Sequence, residues 1–184
     1  MRIISGTLKG RRIFAPKSSI TRPTSDRVRE SLFSIIGEHA HGANILDLFA
    51  GTGALGLEAL SRSGNHCVFV EKNNAVIKTL ERNLELVAKT KYTLFKMAAL
   101  QALKILNADQ RHFDLIFLDP PYQGNILGKV LPWISENQLL RNSGVIICEH
   151  LAKKPLKNNY LNVICKDSRI FGDTALSFFE KRRS

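Results

Sequence analysis

The chain has 184 residues, 44% of them hydrophobic, which is enough to bury one sizeable core and short for two full domains. Its 27 Lys and Arg against 16 Asp and Glu leave a formal charge of +11, the footprint of a polyanion partner such as nucleic acid, and no apolar run approaches the roughly 20 residues of a membrane span. Cys67, Cys148 and Cys165 are far apart and form no Cys-x-x-Cys pair, so neither a disulfide framework nor a zinc site is expected, and no apolar stretch of a secretory signal follows Arg2, so a cytoplasmic protein is.

In chain order, Arg2-Ile3-Ile4-Ser5-Gly6 and Gly10-Arg11-Arg12-Ile13-Phe14 read as short strands around a glycine-rich turn, followed by Pro16 and Pro23. Residues 1–24 are therefore expected to form a basic β-hairpin appendage within one domain of 1–184. Ser25 to His39 reads as a helix, with Val28, Leu32, Ile35 and Ile36 on one stripe and Thr24 or Ser25 as cap.

From Asn44 onward, short apolar runs alternate with helix-period segments. The runs are Ile45–Phe49, Cys67–Glu71, Tyr92–Phe95, Phe113–Leu118 and Val145–Cys148; the helical segments lie at about 53–63, 74–88, 98–107 and 125–140. This alternation predicts a parallel sheet covered on both faces. Leu161–Cys165 and Ala175–Phe179 follow with only a turn around Gly172 between them, predicting an antiparallel hairpin at the end. The expectation is a seven-stranded, mostly parallel α/β sheet of Rossmann-like type, with an amino-terminal β-hairpin and helix.

Two constellations carry chemistry. In Asp47-Leu48-Phe49-Ala50-Gly51-Thr52-Gly53-Ala54-Leu55-Gly56 a strand runs into a glycine turn and then a helix, an arrangement that brings backbone and helix N–H groups close to a ligand. Glu71 lies close to the roughly 20 positions further on at which a ribose-binding acid is expected. The glycine pattern alone suits a dinucleotide equally well. Asp47 tilts the choice, because a carboxylate at the strand end would receive the amino group of S-adenosylmethionine and repel a pyrophosphate.

In the second constellation, Asp119-Pro120-Pro121-Tyr122 ends the apolar strand Phe113–Leu118, and ligands bind at strand carboxyl ends. An exocyclic base amine is a poor nucleophile because its lone pair is delocalised into the ring. The Asp119 carboxylate and the Pro120 carbonyl are adjacent acceptors that can hold its two hydrogens and favour a pyramidal nitrogen. Tyr122 offers a ring face to a base taken out of its stack.

These two motifs together resemble the amino-methyltransferases of DNA and RNA. Arg2-Ile3-Ile4-Ser5-Gly6, Lys9-Gly10-Arg11 and Arg22-Pro23-Thr24-Ser25-Asp26-Arg27-Val28-Arg29-Glu30 narrow the likeness to the bacterial 16S ribosomal-RNA guanine-N2 methyltransferase family, over essentially the whole chain. The resemblance implies a class I methyltransferase fold and S-adenosylmethionine held by Asp47, Gly51, Gly53 and Glu71, with Phe49, Ala50 and Lys72 beside them. It also implies Asp119, Pro120 and Tyr122 at the target base. The expected RNA contacts are Arg2, Lys9, Arg11, Arg12, Arg22, Thr24 and Arg27, on a monomer that acts on 16S RNA, free or in a partly assembled small subunit. Met97-Ala98-Ala99 departs from the family pattern: an Asp that receives the adenine amine is usual there, and Ala98 and Ala99 are left as an apolar wall. Within enzymes the rival is a DNA adenine-N6 methyltransferase, which shares the four-residue motif; a nicotinamide oxidoreductase and a non-catalytic RNA-binding assembly factor are the more distant alternatives. No histidine has ligand spacing, so no metal is expected.

Overall fold

The computed structural model describes residues 1–16, 26–122 and 124–182. Helix α1 (Asp26–Ile36) continues as a 3-10 turn (Gly37–Ala40) into β1 (Asn44–Asp47), α2 (Ala54–Ser61), β2 (His66–Val70), α3 (Asn74–Leu84) and β3 (Tyr92–Phe95). Then come α4 (Ala99–Ala108), β4 (Phe113–Leu118), α5 (Leu127–Glu136), β5 (Leu140–Leu151), β6 (Asn159–Tyr160), β7 (Val163–Phe171) and β8 (Thr174–Lys181). One eight-stranded sheet runs in the order β3-β2-β1-β4-β5-β8-β7-β6. The five strands from β3 to β5 are parallel, and β8, β7 and β6 are antiparallel.

The strands are apolar throughout because alternate residues feed two cores. Ile45, Phe69, Leu115 and Ile147 pack with α1, α2 and α3 on one face. Leu46, Val68, Ile116 and Ile146 pack with α4 and α5 on the other. The order reverses between β1 and β4, and this switch point, where successive strands leave in opposite directions, opens a crevice above the carboxyl ends. Among the described residues no helix is long and apolar enough to cross a membrane.

Three features differ from expectation. The sheet has eight strands, since Asn159 and Tyr160 form a two-residue edge strand on β7. Strand β5 begins at Leu140, where a helix was expected, because α5 ends at Glu136 and Gln138 turns the chain with a φ of 54°. The amino-terminal hairpin forms but is short: the Arg2–Arg12 bridge is flanked by Ile3 N, Gly10 N and Ile13 N donating to the Arg11, Ile3 and Met1 carbonyls. Its ladder stops there because the next N–H groups are claimed by α2. Glu58 accepts from Ile4 N at 2.7 Å and Ser5 N at 3.0 Å, while Ser61 takes Thr7 N on its carbonyl and Leu8 N on its hydroxyl.

This clasp is built into the core: Ile3 and Ile13 are buried in the first cluster. Gly6 makes it feasible, since its φ is 82° and a Cβ there would lie 1.8 Å from the Ser61 carbonyl oxygen. Arg29 closes the other side. It is fully buried, donates from Nη2 to the Arg2 carbonyl and to Asp26, and among the described residues its Nε and Nη1 make no hydrogen bond. Burial pulls its pKa down, and Asp26 and the buried Glu58 oppose that. Replacing Glu58 by Ala orphans two backbone donors and breaks its ion pair with Arg62, so it should lower stability by about 2–5 kcal/mol. Urea unfolding checks this; an unchanged midpoint would show that the clasp is not held by this carboxylate.

Candidate active site

Every strand from β3 to β5 ends at the same edge, so the two sequence constellations lie side by side there. The loop after β1 is fixed from three directions. Beneath it, Asp47 is 1% exposed and its Oδ2 accepts from Gly56 N at 3.1 Å, which ties the strand end to the first turn of α2. To one side, Glu71 Oε2 accepts from Gly51 N at 3.0 Å, while its Oε1 accepts from Lys72 N at 2.9 Å and Asn73 N at 2.8 Å. To the other, the buried Asn83 of α3 donates to the Thr52 carbonyl at 2.9 Å. Gly53 completes the turn at a φ of 80°, and a Cβ on it would lie 2.6 Å from Leu80 Cδ1.

Asn83 is also the link to the amino-terminal segment. The same amide receives Phe14 N at 2.8 Å and donates to the Phe14 carbonyl at 3.0 Å. The Phe14 ring is overlaid by the Arg82 guanidinium at 3.6 Å, with Arg12 at 5.3 Å. Sequence reading passed over Asn83 and Arg82. A polar side chain on the buried stripe of Val76, Ile77, Leu80 and Leu84 was the available signal for the first.

Past β4, Asp119 and Tyr122 are half-buried, Pro120 is buried and Pro121 is exposed. The Tyr122 hydroxyl donates to Glu149 Oε1 at 2.9 Å and takes a hydrogen bond from Thr174 Oγ1 at 2.9 Å. Burial pushes its pKa up to about 12; Thr174 opposes this, and the Glu149 and Asp119 charges add to it. The sequence reading used only the ring of Tyr122, whereas the structure also uses the hydroxyl, to fasten the loop to β5 and β8. Glu149 and Thr174 were not foreseen; an acid directly after the apolar run Val145–Cys148 was the signal. Beside this loop lies a cavity of about 90 Å³, walled by Pro120, Tyr122, Ile126, Leu127, Glu149 and Lys154 among others.

Of the remaining expected residues, Phe49, Ala50 and Lys72 lie on the β1 and β2 loops, and Ala98 with Ala99 starts α4 beyond the end of β3. Arg2, Lys9, Arg11, Arg12 and Arg27 are exposed. Arg22 and Thr24 lie outside the described residues.

The family model described as Conserved hypothetical protein 95 matches residues 1–180. Ribosomal RNA small subunit methyltransferase D of Escherichia coli K12 is 32% identical over 181 residues, covering 98% of this chain and 90% of that protein. The counterpart of the same name in Haemophilus influenzae is 36% identical over 158 residues, 85% of this chain and 81% of that one. This chain belongs to the ribosomal RNA small subunit methyltransferase D family. A solved protein of Thermus thermophilus superposes with a TM-score of 0.83 at 26% identity, over 98% of this chain and 99% of its own. Family membership makes the sheet a Rossmann-like methyltransferase sheet, and the glycine loop with Asp47 and Glu71 fits the methyl donor of such an enzyme. Two carboxyl groups bracket a turn whose backbone a bound ligand can approach closely, and each is fixed in position by backbone N–H groups.

Burial pushes the Asp47 carboxyl up to about 7, against the pull of the Gly56 N–H and with a further push from Glu71. A folded-state value above the unfolded one means that the proton is held more tightly when folded. The associated stability is present at low pH and is lost as pH rises from about 4 to about 7. Asp47→Asn should therefore gain stability relative to the parent as pH is raised from about 5 to about 7.5. Thermal melts without ligand read this, and parallel profiles for the two proteins would contradict it.

Proposed function

We propose that this chain methylates the exocyclic N2 amine of a guanine in 16S ribosomal RNA, using S-adenosylmethionine, in the cytoplasm and as one domain of 1–184 with residues 1–24 as its basic RNA-facing segment. The observation that carries the reading is the adjacency of two acceptors, the Asp119 carboxylate and the Pro120 carbonyl, at the end of β4 next to the glycine loop of β1. The strands themselves are registered as neighbours, Asp47 beside Phe117.

S-adenosylmethionine supplies an electrophilic methyl on a positively charged sulfur. Asp47, Gly51, Gly53 and Glu71 hold it, with Phe49, Ala50 and Lys72 alongside and Ala98 and Ala99 as the apolar wall at β3. Glu71 already accepts three backbone N–H bonds, so of the roughly four that a carboxylate takes, about one is left for a ribose hydroxyl. Asp119 and the Pro120 carbonyl accept the two amine hydrogens and localise the nitrogen lone pair toward the methyl. Asp119 need not remove a proton first. A guanine amine is far too weak an acid for a carboxylate, and its proton becomes labile once the nitrogen carries a fourth substituent. Tyr122 presents its ring to the base while its hydroxyl keeps the loop in register.

Arg2, Lys9, Arg11, Arg12 and Arg27, together with Arg22 and Thr24, meet the phosphates. Residues 1–14 ride on a clasp fastened by Glu58 and Arg29, so Arg2, Lys9, Arg11 and Arg12 are presented from a fixed frame. Asp119→Ala should slow single-turnover methyl transfer on the order of 10²–10³-fold at saturating cofactor and RNA, and Asp119→Asn, which keeps one acceptor oxygen, should be slowed less. If Asp119→Ala reacts as fast as the parent, the β4 loop is not where the amine is held.

A further inference from the structure

The buried carboxylate of Glu149 stands where a second hydrogen-bond acceptor for the target base would be needed. The last registered pair of β4 and β5 is Leu118 beside Cys148. One residue further along each chain come Asp119, just past the end of β4, and Glu149, still within β5, so the two follow the last paired residues of neighbouring parallel strands, which run about 4.8 Å apart. Glu149 is 7% exposed, lines the cavity beside the catalytic loop, and accepts the Tyr122 hydroxyl at 2.9 Å on Oε1. Tyr122, three residues after Asp119 and bonded to Glu149, feels the charges of both acids.

A pair of neighbouring carboxylates has a definite complement. The Watson–Crick edge of guanine presents two donors in a row, the N2 amine and the N1–H, followed by the O6 acceptor. Adenine presents its amine next to N1, which carries a lone pair and no hydrogen. With the amine on Asp119, a guanine sets its N1–H toward Glu149, whereas an adenine sets a lone pair against a negative charge, and a buried charge facing an acceptor is strongly unfavourable. Lys154, on the wall of the same cavity, supplies a donor suited to O6.

We propose that Glu149 is the specificity-determining residue that reads the N1–H of the target guanine, beside Asp119, which holds the amine. This rests on the guanine-N2 reading above and adds the reason why the site rejects a base lacking that hydrogen. Glu149 thereby has two tasks: it anchors Tyr122 and, through it, the loop, and it reads the base.

The test uses 16S RNA carrying either guanine or 2-aminopurine at the position that the parent protein methylates. 2-Aminopurine keeps the 2-amine but has no N1 hydrogen and no O6. The parent protein should label guanine and favour it in kcat/KM on the order of 10–100-fold, the size of one hydrogen bond to a charged group. Glu149→Gln keeps the shape and can turn its amide N–H to the bare N1, so it should bring the ratio near one or invert it. Tyr122→Phe, which breaks the loop anchor without altering the carboxylate, should slow both substrates and leave the ratio as in the parent. If Glu149→Gln slows both substrates equally with the ratio unchanged, Glu149 only holds the loop and this inference is overturned. If the parent labels no guanine at all, it is the proposed function that has failed.

Discussion

In a protein with an excess of cations, the acids that organise the fold are the ones that accept backbone N–H groups. Asp47 takes Gly56 N, Glu71 takes Gly51, Lys72 and Asn73 N, and Glu58 takes Ile4 and Ser5 N. Each of these amides lies in the first turn of a helix, just past a strand, in a tight turn or in the clasp, and an unmet donor away from water costs about 1–3 kcal/mol. Glu58 meets two and Glu71 three at once. The glycine loop, the start of α3 and the amino-terminal clasp are consequently fixed by three side chains and are set before any ligand arrives.

The same arrangement sorts charge by position. Asp47 and Glu58 are buried and Glu71 is half-buried, while Arg2, Lys9, Arg11, Arg12 and Arg27 are outside. Asp47 and Glu58 therefore sit in poorly solvated places where charge interactions are strong, whereas the exposed cations act in water, where their fields reach further from the chain but are screened by salt. Arg29 is the exception, a buried cation whose role is to hold the Arg2 carbonyl. The amino-terminal segment and the glycine loop also share one residue, Asn83, which bonds both Phe14 and Thr52. The two are in this way mechanically continuous.

Much of this was legible in the sequence because parallel strands buried on both faces leave uninterrupted apolar runs, and five such runs separated by helical periods admit few arrangements. The glycine turn and the Asp-Pro-Pro-Tyr loop were legible for a different reason: their chemistry is local, contained within a few adjacent residues. What escaped is non-local. The amino-terminal ladder is cut short by Glu58 and Ser61, more than 50 positions away. Leu140 keeps a helical spacing to Trp133, seven residues before it, although it opens β5, and Asn159–Tyr160 is too short a strand to leave a pattern. Glu149 reads as the polar end of a strand until the Tyr122 hydroxyl bonds to it.

The account turns on which atom receives the methyl group. Incubating the protein with 16S ribosomal RNA and methyl-labelled S-adenosylmethionine, then digesting the RNA to nucleosides for mass spectrometry, answers that directly. The account predicts that the label appears as N2-methylguanosine. Label in N6-methyladenosine, or in no nucleoside while the cofactor still binds, would contradict it.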